Sequence, residues 1–169
     1  MKKETTWLLA AGFFLCAAMP AAAQDRPADE MELESAAAEL DADAAEPGGE
    51  KAVVDKLMSE FKVDGPRVQG LREQGLGYGE VAVALTLAQG LPGGITDVNV
   101  HNVTRLRLGP PALGWGKVSK ELGLKPGAAI SKVKKVQAEV RERTKIEKAR
   151  LGKAAIEKEK NGKKARGGK

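Results

Sequence analysis

One phrase occurs twice in this chain, and that repetition constrains the fold more than any other feature. The first copy occupies residues 63–85 (VDGPRVQGLREQGLGYGEVAVAL) and the second residues 98–122 (VNVHNVTRLRLGPPALGWGKVSKEL). Val63, Val68, Leu71 and Arg72 align without a gap on Val98, Val103, Leu106 and Arg107. After two extra residues in the second copy, Leu76-Gly77-Tyr78-Gly79 aligns on Leu113-Gly114-Trp115-Gly116, and Val81 and Leu85 align on Val118 and Leu122. A supersecondary unit that cannot bury its apolar face alone stacks on a second copy of itself. Two related helical hairpins sharing one core are therefore expected.

The rest of the chain supports helices. Val53, Val54, Leu57, Met58 and Phe61 form one stripe at helical spacing, so residues 50–62 are predicted as a helix that stops at Asp64-Gly65-Pro66. In the first copy, residues 67–74 form a short helix with Val68 and Leu71 inward. Gly75 suits its end, where a left-handed residue is needed. Residues 80–89 form the second helix, with Val81, Ala84, Leu85 and Ala88 inward and Glu80 in its first turn. The second copy opens at Thr96 or Asp97 as N-cap and turns inward Val100, Val103 and Leu106. It turns at Gly114-Trp115-Gly116 and ends at Gly123. Beyond Lys125-Pro126-Gly127, Ile130, Val133, Val136 and Val140 continue a helical stripe. The expected fold is all-α: a small helical bundle of two helical-hairpin repeats with a long C-terminal helix, its domain covering residues 51–140.

Both ends differ from this middle. Lys2 and Lys3, an apolar stretch over residues 7–19, Pro20 and Ala21-Ala22-Ala23 have the form of a secretory signal peptide, residues 1–23. The expected product is exported, periplasmic or extracellular. Cys16 leaves with the leader, so thiol catalysis and thiolate metal sites are excluded, and no transmembrane span remains. Residues 24–50 hold ten acidic side chains against Arg26 alone. Their larger apolar residues are only Met31, Leu33 and Leu40, prolines aside. That composition predicts a disordered acidic leader. From Lys132 to the end there are fifteen Lys/Arg against five Glu. Residues 141–169 are read as a basic helical or disordered tail, disordered from Asn161.

The phrases Leu71-Arg72-Glu73-Gln74-Gly75-Leu76-Gly77-Tyr78-Gly79 and, with its insertion, residues 106–116 resemble those of a group of uncharacterised exported bacterial proteins with LR-x-x-G-x-G-[Y/W]-G repeats. The resemblance covers about residues 61–136 and implies export and a helical fold, but no activity. Locally, Leu106-Arg107, residues 114–124 and residues 128–133 also resemble a helix-turn-helix core, which would imply nucleic-acid binding. That pattern is broken by Ser119 where a small alanine is usual and by the long Lys125-Pro126-Gly127 turn.

Several residues carry possible chemistry. Gly77, Tyr78, Gly79, Gly114, Trp115 and Gly116 are read as structural turns in which an aromatic fills the angle between two helices. The alternative is an exposed aromatic platform for a sugar or peptide. His101 follows Asp97 and Asn99 as in a calcium loop, but Asn102 and Leu108 stand where glycine and glutamate are required. No metal and no cofactor is expected. A carboxylate pair such as Glu73 and Glu80 across the first turn is what a small carboxylate-dependent hydrolase would use. The leading expectation is an interaction module that binds an acidic partner through Lys132, Lys134, Lys135, Arg141, Arg143, Lys145, Lys148 and Arg150. Anionic lipid surfaces, anionic envelope polymers, acidic proteins and nucleic acid all fit that charge. The acidic leader is a further candidate, as an internal mask for the basic tail.

Overall fold

Helices account for every regular element among the described residues, 27–166, of the computed structural model; side-chain surroundings are described as far as residue 153. The order is α1 Ala28–Ala45, α2 Gly49–Phe61, α3 Gly65–Glu73, α4 Tyr78–Gly90, α5 Asp97–Leu108, α6 Trp115–Glu121 and α7 Pro126–Arg166. The expected all-α bundle of two hairpins, α3–α4 and α5–α6, with a long last helix, is what forms. Residues 1–23, read from the sequence as a signal peptide, lie outside the described residues.

Local chemistry explains the boundaries. The Asp64 side chain accepts the Arg67 amide at 3.0 Å, with Pro66 in the first turn of α3. Thr96, not Asp97, caps α5 by accepting the Asn99 amide at 3.2 Å. Gly75 (φ +94°) and Gly123 (φ +70°) end α3 and α6 in the left-handed region.

Helix α4 lies at the centre. Val81, Ala82, Val83, Ala84, Leu85, Leu87 and Ala88 are all buried, so it is apolar all round rather than on the one face expected. It is surrounded by α1, α2, α3, α5 and α7.

The acidic leader is not disordered. Residues 28–45 form α1, which packs on α2, α4, α6 and α7. Leu33 and Leu40 are fully buried, and Ala36, Ala37 and Ala44 share the same core as the repeats. The structured body therefore includes residues 28–45 and is not confined to residues 51–140. A composition argument counts the carboxylates of α1 as solvated charge. Here they face the basic residues of α7, and small alanines let α1 approach its neighbours closely. The C-terminal end also differs from expectation: α7 continues through Asn161 to Arg166.

Candidate functional site: the repeat turns and the basic face of α7

Each repeat builds the same device at its turn. Arg72 Nη1 donates to the Leu76 carbonyl, and its guanidinium lies 4.2 Å from the centre of the Tyr78 ring. In the second copy Arg107 Nη1 donates to the Leu113 carbonyl at 3.1 Å and stands 5.1 Å from the Trp115 ring. The arginine of the repeated Leu-Arg thus ties the helix end to the turn and covers the aromatic by a cation–π contact. Trp115 is buried. Tyr78 is half-buried, with its hydroxyl donating to Glu50 Oε1 at 2.6 Å. Neither ring is an open platform.

The turn glycines serve α1. A Cβ on Gly79 would overlap the Ala37 carbonyl, and one on Gly77 the Asp41 carboxylate. In the second turn, Gly114 and Gly116 lie against Glu30 in the same way. Asp41 Oδ1 accepts the Gly79 amide at 3.2 Å. Glu30 and Asp41 are eleven residues apart, so they share a face of α1. α1 therefore places one carboxylate at the start of α4 and another at the start of α6, where helix dipoles favour anions.

Glu80 connects the two copies. Its Oε1 accepts from Arg107 Nε at 3.0 Å, Arg107 Nη2 at 2.6 Å and Trp115 Nε1 at 3.2 Å. Its Oε2 accepts the Gly77 amide at 3.1 Å. Burial pushes this carboxyl upward, but the Arg107, Gly77 and Trp115 donors outweigh it and hold its pKa below the ordinary value. Glu73 is exposed and accepts from Gln69 at 3.4 Å. The pair suggested for acid/base work thus contains one carboxylate engaged by four donors and one in solvent.

The eight basic residues of α7 divide into groups. Lys132 pairs with Glu60 of α2, and Lys134 with Glu32 of α1. Arg141 lies 3.4 Å from Asp43 and 3.8 Å from Glu39, and Lys148 is 2.6 Å from Glu46. Gln137 adds a 2.7 Å hydrogen bond to Glu39. The pairs rise together along both helices, so α1 and α7 run parallel. Lys134, Arg141 and Lys148 are seven residues apart, as are Glu32, Glu39 and Glu46, a heptad charge ladder. The acidic segment covers this part of the basic helix, as an internal mask would. Lys145 sits 4.0 Å from Glu142 within α7. Lys135, Arg143 and Arg150 make no ion pair among the described residues.

Beneath the ladder lies a second network. Lys56, a buried lysine of α2, reaches Glu60 and Glu139, the latter at 2.6 Å. Burial alone would lower the Lys56 pKa, but its hydrogen bonds to Glu139 and Glu60 raise it. Hydrogen bonds from Lys132 and Lys56 lower Glu60 to about 2. Sequence periodicity does not reveal this network, because Lys56 sits beside an apolar stripe like any surface lysine.

Two clefts of about 540 and 410 Å³ meet at Asp64 and Arg67, and His101 lines the smaller beside Asp97 and Thr104. No group of three or more histidine, cysteine or carboxylate side chains suited to a metal occurs among the described residues. None of their helices is long and apolar enough to cross a membrane. The third helix of the helix-turn-helix resemblance is the start of α7. Ala129, Ile130 and Val133 are buried there, and Lys132 and Lys134 are engaged by α2 and α1. No protein-family model matches this chain, and no curated protein or solved structure matches it significantly.

Proposed function

We propose that this chain is an exported interaction module that holds out the distal part of α7 as a basic arm for an anionic partner. The observation that carries this reading is where the acidic cover ends. Among the described side chains, the last cross-helix pair is Lys148–Glu46, just past the end of α1, while α7 continues to Arg166. Beyond Lys148 the sequence has eight basic residues against two glutamates. At 1.5 Å per residue, the helix beyond Lys148 spans about 27 Å. Of the residues first singled out, Lys132, Lys134, Arg141 and Lys148 serve the fold. Arg143 and Arg150 remain as the base of the arm.

The test is a chain ending after Lys148, compared with the full chain on an immobilised sulfated polysaccharide. The full chain is retained at low salt and released as salt rises, as expected for screened charge. The shortened chain, still helical, passes through. Equal retention of both would overturn the reading.

A further inference from the structure

We propose that two copies of this chain exchange α1, each copy's α1 leaving its own body at residues 46–48 and docking in the groove of the other. The proposal is independent of the basic arm. The contacts that seat α1 on α4, α6 and α7 are self-contained. The Glu32–Lys134, Asp43–Arg141 and Glu46–Lys148 pairs, the Asp41 contact with Gly79 and the Glu30 contact with Gly114 and Gly116 need only an α1 in the groove. A second copy supplies an identical helix with identical charge complementarity. On its C-terminal side α1 is joined to the body only by a three-residue hinge.

That hinge is tightly folded. Glu46 is extended (φ −70°, ψ 152°) and Gly48 is left-handed at φ +78°. Gly49 approaches so closely that a Cβ there would overlap the Asp43 carbonyl. The closed form thus depends on two glycines in conformations or spaces that other residues avoid. The apolar pattern, meanwhile, runs through it. Leu33, Leu40 and Phe61 are spaced by whole heptads, 7 and then 21 residues, as Ala36 and Leu57 are by 21. A helix continuing from α1 into α2 would hold them in one slowly drifting stripe. Pro47 interrupts the first series, and Asp43 and Glu50 stand between Ala36 and Leu57 in the second. Pro47 disfavours that continuous helix, so the closed monomer predominates at low concentration and exchange grows with concentration. Short hinges under conformational demand are the usual place for such exchange. A swapped dimer carries two arms, so an anionic polymer would meet two basic helices at once; this consequence alone rests on the proposed function.

The experiment uses full chains carrying Cys16→Ser, Glu32→Cys and Lys134→Cys, in a tagged and an untagged form. The Arg141 and Lys148 pairs remain to seat α1. The two forms are unfolded together, refolded at low and at high protein concentration, and joined by a short bismaleimide. We expect crosslinks within one chain at low concentration. At high concentration, crosslinks form between tagged and untagged chains, in species that elute as dimers. Adding Pro47→Ala, Gly48→Ala and Gly49→Ala raises the interchain share several-fold at low concentration. Crosslinks confined to single chains at every concentration, in both hinge forms, overturn the proposal. A dimer whose crosslinks are all intrachain also overturns it, because another face then makes the contact. If the hinge variant does not fold, the unaltered hinge decides the matter by the same readout.

Discussion

Glu80 of the first repeat takes both Nε and Nη2 of Arg107 in the second, at 3.0 and 2.6 Å, on the same carboxylate oxygen that accepts the Trp115 indole. The aligned position in the second copy is Lys117, which is exposed. The repeats are thus alike in their turns and unlike at this position, which joins them in addition to the Arg67–Asp97 ion pair. Lysine at position 80, as at the aligned position 117, would leave Arg107 without this acceptor.

Loss of that joint should be costly. Glu80→Ala leaves a half-buried guanidinium and an indole donor without their acceptor, and is expected to destabilise the fold by about 2 kcal/mol. Arg107→Lys keeps the charge and loses the two-pronged donor, so it should cost about half as much. Urea unfolding of the two variants beside the parent checks both values. A cost for Glu80→Ala within the scatter of exposed substitutions would show that the joint contributes little.

The turn glycines should differ sharply from a glycine in open space. Gly79→Ala drives a Cβ into the backbone of α1 at Ala37, and α1 must move; a loss of about 3 kcal/mol is expected. Gly70 lies inside α3 with nothing near its added Cβ. Gly70→Ala should therefore gain about 0.5–1 kcal/mol from helix propensity. Thermal unfolding of the pair distinguishes crowding by α1 from a general glycine requirement.

Acid should weaken the contact between α2 and α7. The folded-state pKa of Glu60, about 2, is depressed from 4.5, so its contribution is fully present above the unfolded value. That contribution is lost as pH falls from about 4.5 toward 2. Glu80 and Glu139 are shifted the same way, the first despite its burial and the second by its hydrogen bond to Lys56. Stability measured across this window should fall with pH, and the fall should be shallower in Glu60→Gln. An unchanged slope in that variant would remove Glu60 from the explanation.

The α1–α7 ladder should be additive and salt-sensitive. Lys134 and Glu32 are each about half exposed, 51% and 47%, so a double-mutant cycle on the pair should return under about 1 kcal/mol. That coupling should shrink as salt is added. A coupling that persists in high salt would mean that the pair is held by packing rather than by charge.

By itself, the sequence determined six of the seven helices, the two hairpins, a cap at Thr96 or Asp97, the glycine stops and the aromatic turns. These follow from local rules: apolar spacing, backbone freedom and the side chains that satisfy helix ends. It also marked the opposite charges of the two ends. Tertiary structure decided what those charges do. Residues 28–45 look unable to fold when counted alone, because their alanines bury little and their carboxylates repel. Next to α7 the same carboxylates meet Lys134, Arg141 and Lys148, and the alanines fit where Gly79 and its neighbours leave room. The partner that makes α1 stable lies about a hundred residues away, as Lys134 does from Glu32. No local window contains both, so only the folded chain distinguishes the basic residues that hold the body together from those that do not.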